Sequence, residues 1–253
     1  MRFTFLGTGT SQGIPIIGCP CAICASTDSR DKRLRTSALI EHNGTTIVID
    51  AGPDFRQQML SANVRNLDAI LLTHEHRDHI AGLDDVRAYN YLQQKPMDIW
   101  GEPRVLEAIQ NEFSYVFADY KYPGSPEMNL LPIEGNAIRI GSIEVLPIRA
   151  MHYRLPVYGF RIENLTYITD ANSIPEREMK KIAGTDILII NALRKEKHIS
   201  HFTLNEAIKV IEDIAPKQAY ITHISHQMGF HSDVQLELPM NIFLAYDGLV
   251  IEE

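Results

Sequence analysis

The amino-acid sequence predicts a layered α/β protein with mixed β-sheets. Three observations support this prediction: short runs of Ile, Val, Phe and Leu recur along the chain, several runs are joined by hairpin signals, and helical patterns separate others. A simple alternation of strand and helix would contain fewer hairpins. No Gly/Ser/Pro-rich linker, internal repeat or low-complexity stretch divides the chain, so we expect residues 1–253 to form a single domain.

The predicted strands are apolar runs bounded by Gly, Asn, Asp or Pro. They are Arg2–Leu6, Ser37–Glu41, Thr45–Ile49, Ala69–Leu72, Asp98–Trp100, Ala137–Ile140, Ile143–Leu146, Tyr158–Ile162, Leu165–Thr169, Ile187–Ile190, Ala219–Thr222, Ile242–Ala245 and Leu249–Ile251. Turn residues between neighbouring runs predict hairpins. These turns are His42–Gly44, Ile140–Ser142, Glu163–Asn164 and Asp247–Gly248.

A capped apolar stripe predicts a helix over Thr203–Asp213. Its apolar residues recur at spacings of three and four, and Thr203 with Glu206 completes a capping box. Four further helices are predicted, and three of them have Pro at or near the first turn. They are Pro53–Leu60, Gly82–Gln94, Pro103–Asn111 and Pro175–Ile182. The aromatic-rich segment Asn111–Pro126 has no regular pattern, and a substrate-covering loop, a dimer contact and core packing all explain it.

Composition and charge exclude several classes of function. With 45% hydrophobic and 22% charged residues, the chain is an ordinary globular protein. Its net charge of −8 argues against duplex nucleic acid as a partner, because phosphate neutralisation needs a basic excess. The longest aliphatic runs, such as Ile187–Ile190, are far too short to span a membrane, and no signal-peptide segment follows Met1. We therefore expect a cytoplasmic protein that does not bind membranes.

The strongest functional signal is a histidine-rich segment directly after a predicted strand. Residues 73–79 read Thr-His-Glu-His-Arg-Asp-His. His74 and His76 are two residues apart, so their side chains share one face of an extended chain. Asp78 and His79 follow where the chain can turn, so they can address a second ion nearby. Three imidazoles and the carboxylate of Asp78 in so short a segment predict a metal site.

A metal site of this kind needs ligands from elsewhere in the chain, and polar residues at the ends of apolar runs supply them. His152 follows the run Ile143–Ala150, and Asp170 and His223 follow the predicted strands Leu165–Thr169 and Ala219–Thr222. A lone His or Asp in such a place is usually structural. The shared position beyond an apolar run strengthens the set, because open sheets bind ligands at strand ends.

The pattern His-x-His-x-Asp-His, followed by those three residues, resembles the metallo-β-lactamase fold superfamily. The resemblance runs from Leu6–Thr10 through Ile47–Gly52 to Ala245–Gly248, which is nearly the whole chain. It implies a four-layer αββα sandwich of two mixed β-sheets, with a dinuclear metal centre at one edge of the sheets.

The resemblance also implies a ligand set. His74, His76 and His152 would hold one metal ion, Asp78, His79 and His223 would hold the other, and Asp170 would bridge the two. Asp50 matches the family's acidic residue beside the site, where it would bind the ligands and hold them in position without contacting a metal ion. An ordinary strand-end carboxylate is the alternative for Asp50.

The implied metal pair favours hydrolysis. Two divalent ions roughly 3.5–4 Å apart share a hydroxide that attacks the substrate, and they lower the pKa of the bound water toward neutrality. Imidazole and carboxylate ligands suit Zn²⁺, Mn²⁺ or Fe²⁺, and the spacing does not choose among these metals. Oxygen-reducing diiron members of the superfamily have Glu in place of the second His of the motif, whereas this chain has His76.

Cys19, Cys21 and Cys24 form a C-x-C-x-x-C cluster. Three cysteines are too few for a disulfide framework, and such a cluster in a reducing compartment is more often a metal site. Three thiolates need a fourth ligand to complete a tetrahedral Zn²⁺ site. The cluster resembles that of the PhnP-type cyclic phosphodiesterases, which implies a structural zinc held by Cys19, Cys21, Cys24 and His226. Three free or buried thiols are the alternative.

His201 precedes the capped helix in the pattern His-Phe-Thr. Phosphodiesterases of this superfamily, including tRNase Z and the PhnP type, have a His at this place, which implies that His201 protonates the leaving oxygen or holds the phosphate. His198 competes for that assignment. No role is assigned to His42, His198 or His231. Asp68 and Thr73 are interpreted as framework residues.

The residues and the resemblance together predict a dinuclear metallohydrolase that cleaves a phosphodiester in a small, cyclic sugar or nucleotide phosphate. The family also implies a homodimer. A tRNase Z-like endoribonuclease would need an RNA-docking arm and a basic face, which the acidic charge balance disfavours. A lactone or thioester hydrolase stays open. The complete ligand set disfavours a non-catalytic protein in which the Cys cluster is a redox or metal switch.

Overall fold

Two β-sheets face each other across an apolar core in the computed structural model, which describes residues 1–252. The first sheet has the strand order β14-β1-β2-β3-β4-β5-β6 and the second β13-β12-β11-β10-β9-β8-β7. Strands of the first sheet are β1 Arg2–Gly7, β2 Ser37–His42, β3 Thr45–Ile49, β4 Ala69–Leu71, β5 Met97–Gly101, β6 Met128–Pro132 and β14 Val250–Glu252. Strands of the second are β7 Ile138–Ile140, β8 Ile143–His152, β9 Leu155–Ile162, β10 Leu165–Ile168, β11 Ile187–Asn191, β12 Gln218–Thr222 and β13 Ile242–Leu244.

Helices cover the outer face of each sheet. The helices of the chain are α1 Ala22–Ala25, which lies in the N-terminal loop, α2 Phe55–Ser61, α3 Arg77–Ile80, α4 Arg87–Gln93, α5 Pro103–Glu112, α6 Ser114–Phe117, α7 Glu176–Ile182, α8 Leu204–Ile214 and α9 His231–Glu237. Apolar side chains of α2, α4 and α5 pack on the first sheet, and those of α7, α8 and α9 pack on the second. The predicted four-layer αββα sandwich is therefore confirmed. No helix among residues 1–252 combines the length and the apolar character needed to cross a membrane.

Each sheet has an antiparallel half and a parallel half. Strands β1 to β3 pair antiparallel and β3 to β6 pair parallel, while β7 to β10 pair antiparallel and β10 to β13 pair parallel. Parallel neighbours end at the same edge of a sheet, and this edge is where such sheets bind ligands. The segments that follow β3, β4, β10 and β12 therefore meet at one end of the sandwich.

One predicted hairpin is wrong. The turns after β2, β7 and β9 join antiparallel neighbours as expected. The turn Asp247–Gly248 instead crosses between the sheets, because β13 lies at the edge of the second sheet and β14 pairs with β1 in the first. The carboxylate of Asp247 accepts hydrogen bonds from Thr8 and from the backbone of Leu34, which ties this crossing to the N-terminal loop.

Other differences are local. The predicted helix Gly82–Gln94 is a 3₁₀ turn over Leu83–Val86 followed by α4. The sequence patterns do not predict β6 or the short helices α1, α3, α6 and α9. Strand β8 continues to His152, so this residue ends the strand rather than following it. In the aromatic-rich segment, Phe113 is buried in the core, whereas Tyr120 and Tyr122 are 88% and 79% exposed. Core packing thus explains only the first part of that segment.

Candidate metal centre

The candidate site lies where parallel strands of both sheets end. Asp50 follows β3, the segment 73–79 follows β4, Asp170 comes after β10 and His223 follows β12. Asp50, Asp170 and His223 have positive φ angles of 62°, 56° and 55°. This left-handed conformation is uncommon outside glycine and is concentrated at functional sites. Each strand therefore leaves its sheet abruptly at the residue whose side chain enters the site.

A short helix fixes the second half of the histidine-rich segment. Asp78 and His79 lie on α3, and the backbone N–H of Ala51 donates to the carbonyl of His79 over 2.8 Å. The helix packs so closely on the loop after β3 that a Cβ on Gly52 would lie 1.9 Å from the carbonyl oxygen of Asp78. Only glycine fits at that position.

The imidazole rings of the five predicted histidine ligands form one contiguous cluster. Ring centroids lie 4.6 Å apart for His74 and His76, and 4.2 Å apart for His74 and His79. His152 lies 5.2 Å from His76, and His223 stacks on His79 at 6.1 Å. The topology thus brings together side chains from three separate parts of the sequence.

Asp170 lies at the centre of this cluster. Its Oδ2 is 3.3 Å from Nε2 of His79 and 3.1 Å from Nδ1 of His223. Asp78 approaches from α3, with its Oδ2 3.2 Å from the same Nε2 of His79. Burial alone would raise the pKa of Asp170, but the imidazoles of His223 and His79 hold that pKa well below its ordinary value. The carboxyl group is therefore ionised, as a bridging ligand must be.

The shortest distances do not follow the implied division of ligands between two ions. Ligand atoms of His74, His79 and Asp170 all lie within 4.8 Å of one another, and so do those of His152, Asp170 and His201. His74 and His79, which the resemblance gives to different ions, are therefore close neighbours. All seven predicted ligands line one site, and their assignment to individual ions stays a prediction.

Hydrogen bonds to Nδ1 orient four of the five rings. The atom next to Nδ1 is Thr73 Oγ1 for His74, at 2.9 Å, and Asp50 Oδ2 for His79, at 2.7 Å. It is the Ser200 carbonyl oxygen for His152, at 2.9 Å, and Thr36 Oγ1 for His223, at 3.1 Å. Held in this way, the rings of His74, His79 and His152 present Nε2 to a metal. In His223, Nδ1 faces both Thr36 and Oδ2 of Asp170, which is 3.1 Å away. For the fifth ring, Nδ1 of His76 lies 3.0 Å from Nε2 of His74. Two nitrogens that bind one ion at about 2.1 Å lie roughly 3.0–3.4 Å apart, so the spacing of His74 and His76 fits two ligands of the same ion.

Two buried nitrogens, Nε2 of His79 and Nδ1 of His201, have no hydrogen-bond partner among residues 1–252. They are two of eight such buried side-chain atoms in that range, and a bound ion is one explanation for a polar atom left unpaired in a candidate metal site. Both atoms lie beside the carboxylate of Asp170. Imidazole and carboxylate donors suit divalent zinc, manganese or iron. The residues present therefore fit divalent metal ions.

His201 lies inside the site, whereas His198 lies at its margin. The ring of His201 is 4.6 Å from His152 and 4.9 Å from His223, and His198 is next to it at 5.1 Å. Burial, reinforced by His223, lowers the pKa of His201 to about 3, so its ring is neutral at pH 7. The geometry favours His201 over His198, but a role as proton donor requires an anionic group beside the ring to restore the proton.

A second cluster of metal-binding side chains lies in the N-terminal loop. The Sγ atoms of Cys19, Cys21 and Cys24 lie 3.5, 3.3 and 3.6 Å from Nδ1 of His226. In a tetrahedral Zn²⁺ site with Zn–S near 2.3 Å and Zn–N near 2.1 Å, sulfur and nitrogen lie about 3.5 Å apart. The four side chains therefore fit one zinc ion.

The electrostatics of the thiol cluster also suits a metal. The backbone N–H of Cys24, followed by the imidazole of His226, lowers the pKa of Cys21 to about 6, so this thiol is largely ionised at pH 7. Burial raises the pKa of Cys24. Thiolates are the form of cysteine that binds metals. The cluster is next to the first site in the chain, because His226 follows the predicted ligand His223 by three residues.

Comparisons with known proteins identify the family. The sequence profile of the Beta-lactamase superfamily domain matches residues 45–224. The crystal structure of a diphosphatase from the PhnP family is 35% identical, has a TM-score of 0.93 and covers 100% of this chain and 97% of that one. The chain belongs to the PhnP family of the β-lactamase superfamily. The resemblance stated from the sequence is thereby confirmed.

Two other relatives of this PhnP-family chain have different names. The octanoyltransferase of Porphyromonas gingivalis (strain ATCC BAA-308 / W83) is 40% identical over 258 residues, which cover 100% of this chain and 52% of that protein. The ribonuclease Z of Mycolicibacterium gilvum (strain PYR-GCK) is 26% identical over 191 residues, 65% of each chain. The chain thus spans about half the length of the octanoyltransferase.

The PhnP-family site contains residues that sequence reasoning missed or undervalued. Thr36 binds His223, the carbonyl of Ser200 binds His152, and Thr169 donates to Asp170 over 2.7 Å. Thr73, interpreted from the sequence as framework, bonds both Asp50 and His74. None of these residues has a distinctive spacing. The only signal was their position next to a strand end or a predicted ligand.

Proposed function

We propose that the protein hydrolyses a phosphodiester or diphosphate linkage in a small molecule, using two divalent metal ions. The single observation that carries this proposal is the convergence of five imidazoles with the carboxylates of Asp78 and Asp170, beside the further imidazole of His201. Metal ligands, an internal carboxylate and a candidate acid in one place are the recognised parts of a metal-assisted hydrolytic site.

The ligands would divide as the superfamily implies. His74, His76 and His152 would hold one ion, and Asp78, His79 and His223 the other, with Asp170 shared. When bound, such a pair activates a water molecule and neutralises charge on the phosphoryl oxygens. The chain contributes orientation, since hydrogen bonds of the rings with Thr36, Thr73, Asp50 and the Ser200 carbonyl hold the rings in position.

His201 is the group that we propose acts on the leaving oxygen. Its unpaired Nδ1 lies 3.9 Å from Oδ1 of Asp170, so it is within reach of a phosphoryl group bound beside that carboxylate. From there it donates a hydrogen bond or a proton to the oxygen that departs. His198 lies one ring further out.

We propose a small substrate, such as a cyclic sugar phosphate, a cyclic nucleotide or a diphosphate. The cavity beside His76 and His152 has a volume of about 490 Å³, within the range of pockets for small molecules. The net charge of −8 gives no support to a long RNA substrate. The name diphosphatase, given to the PhnP-family relative, supports including diphosphates.

A second candidate is hydrolysis of an acyl ester or thioester, because metal-assisted attack is equally available to a carbonyl carbon. The octanoyltransferase that matches the whole chain at 40% identity favours it. That name belongs to a protein of about twice this length, so it supports only a substrate with an acyl group.

Turnover by the metal-loaded protein tests both candidates. The substrates are bis(p-nitrophenyl) phosphate, a 2′,3′-cyclic nucleotide, a nucleoside diphosphate, p-nitrophenyl octanoate and a precursor tRNA. Asp78→Ala removes a predicted ligand, and Asp98→Ala is the matched control, because Asp98 lies on β5 and contacts Asn129 instead of the site. We expect phosphate turnover by the wild type and by Asp98→Ala, and a loss of at least about 100-fold in Asp78→Ala.

The other outcomes separate the candidates. Faster hydrolysis of the octanoate than of every phosphate ester would favour the acyl candidate. Faster cleavage of the precursor tRNA would favour an endoribonuclease. Undiminished activity of Asp78→Ala would contradict the metal-assisted mechanism.

A further inference from the structure

A cleft with apolar walls opens beside two predicted ligands. Its base is formed by His76 and His152, and its walls by Tyr153, Leu155 and Ile199. Tyr153 is 49% exposed and Ile199 is 64% exposed, so both present apolar surface to solvent at the entrance to a polar site. Exposed apolar surface beside a site is typical of substrate binding.

The hairpin turn that carries Tyr153 is unusual. His152 pairs with Leu155, so Tyr153 and Arg154 form a two-residue turn between β8 and β9. Tyr153 has a φ of 59°, a conformation for which two-residue turns normally use glycine. A bulky side chain held in a strained conformation next to a predicted ligand indicates that the aromatic ring has a function there.

Arg154 supplies positive charge at the same place. Its guanidinium lies 5.2 Å from the centroid of the Tyr153 ring, and no carboxylate pairs with it among residues 1–252. Arginine without an ion pair, beside an exposed aromatic ring, is suited to a ligand that is both planar and anionic.

The two walls of the cleft are fixed relative to the metal centre by Asn172, two residues after Asp170. Its Oδ1 accepts a hydrogen bond from the N–H of Tyr153 over 2.9 Å, and its Nδ2 donates to the carbonyl of Ile199 over 3.0 Å. One amide therefore holds both walls, so the cleft is organised before a ligand binds.

We propose that this cleft binds the nucleoside part of a nucleotide substrate, with the base stacked on the ring of Tyr153 and Arg154 attracting the phosphate. The inference rests on the proposed phosphate-ester hydrolysis and names its substrate class. A base has a π-face that stacks on an aromatic side chain. The pairing of a tyrosine ring with an unpaired guanidinium favours a base over an acyl chain, which has neither a π-face nor a charge.

Two esters with the same leaving group test the proposal. Thymidine 5′-(p-nitrophenyl phosphate) carries a nucleoside, and methyl p-nitrophenyl phosphate does not. We expect Tyr153→Ala to lower the ratio of kcat/KM for the thymidine ester to that for the methyl ester by about 5- to 150-fold. Tyr153→Phe should retain the ratio, and Tyr91→Ala, which removes a tyrosine that is 64% exposed on α4, is the matched control.

Two further readouts complete the test. Arg154→Gln should raise KM for the thymidine ester at low ionic strength, and added salt should remove the difference. Calorimetric titration with thymidine 5′-monophosphate should show binding to the metal-loaded wild type and at least about 5-fold weaker binding to Tyr153→Ala.

The outcomes distinguish this inference from the proposed function. An unchanged ratio in Tyr153→Ala, with both esters still hydrolysed, would overturn the nucleoside cleft and leave the hydrolase standing. A change in selectivity between p-nitrophenyl octanoate and acetate, with none between the phosphate esters, would assign the cleft to an acyl chain instead. If the wild type hydrolyses neither phosphate ester, the proposed function fails, and equal binding of the monophosphate by both proteins would overturn the cleft as well.

Discussion

The hydroxyl of Thr36 orients a predicted metal ligand from a position that no motif marks. It donates to the carbonyl of Gly9 over 2.7 Å and lies 3.1 Å from Nδ1 of His223. Thr36 is 2% exposed, so water does not replace a hydrogen bond that is lost there. Thr36→Val keeps the shape of the side chain and removes only the hydroxyl.

The structure sets the size of the effect. The carbonyl of Gly9 also accepts from the backbone N–H of Thr36 at 3.0 Å, so it stays paired in the variant. The main loss is the hydrogen bond to His223. Nδ1 of His223 keeps Oδ2 of Asp170 as a neighbour at 3.1 Å, so the loss is that of one intramolecular hydrogen bond, about 0.5–1.5 kcal/mol. Partners that orient a metal-binding histidine are worth about 10- to 100-fold in metal affinity. We therefore expect Thr36→Val to lose about 1 kcal/mol of unfolding free energy and at least about 10-fold in metal affinity.

The assays are urea unfolding of the metal-free protein and competition for Zn²⁺ with a chromophoric chelator. Thr166→Val is the matched control, because Thr166 is equally buried and its hydroxyl donates to Thr185 over 3.1 Å, away from the ligands. The control should lose stability and keep its metal affinity. Equal metal affinity in the two variants would refute the role given to Thr36.

Three further predictions test packing, charge and the thiol cluster. Gly52→Ala should destabilise the protein by at least about 1–3 kcal/mol in urea unfolding, since its Cβ would lie 1.9 Å from the Asp78 carbonyl oxygen. Gly101→Ala is the control and should lose clearly less stability, because the nearest contact of its Cβ is the flexible end of Leu106 at 3.3 Å. Equal losses in the two variants would contradict the packing argument. Burial raises the pKa of Asp247 to about 6, above its unfolded value, so its stabilising effect is present below about pH 4 and is lost as the pH rises through 6. The wild type should lose about 3 kcal/mol relative to Asp247→Asn between pH 4 and 7, and parallel stability curves would disprove the shift. His226→Ala should bind one zinc ion fewer by elemental analysis, and its three cysteines should react with a thiol reagent. His42→Ala is the control and should show neither change. Unchanged zinc content in His226→Ala would contradict the predicted zinc site.

Much of the fold was predictable because local patterns and topology agree. The capping box of α8 and the turn after β2 appear in the structure where the sequence places them. Strand β6, Met128–Pro132, has no such signal, since it is a short edge strand next to an irregular segment. The turn at Asp247–Gly248 has ordinary hairpin chemistry, and only the pairing of β14 with β1 shows that it crosses between sheets.

The ligands of the candidate site were more predictable than the residues that hold them. His74, His76, Asp78 and His79 are adjacent in sequence, and their spacing alone indicates a metal site. Thr36 and Asn172 are single polar residues with no pattern, and they reach the site only because the strands of two sheets end at one edge. Their roles depend on long-range contacts, which a local pattern does not specify.

The central claim is that the scattered imidazoles and carboxylates jointly hold two metal ions. Anomalous diffraction at the absorption edge of the loaded metal, from crystals of the metal-loaded protein, tests it most directly. We expect two peaks roughly 3.5–4 Å apart among His74, His79, His152, His223 and Asp170, with a third among the thiols of the N-terminal loop. Density for those side chains with no peak between them, in crystals soaked with Zn²⁺ or Mn²⁺, would contradict the claim.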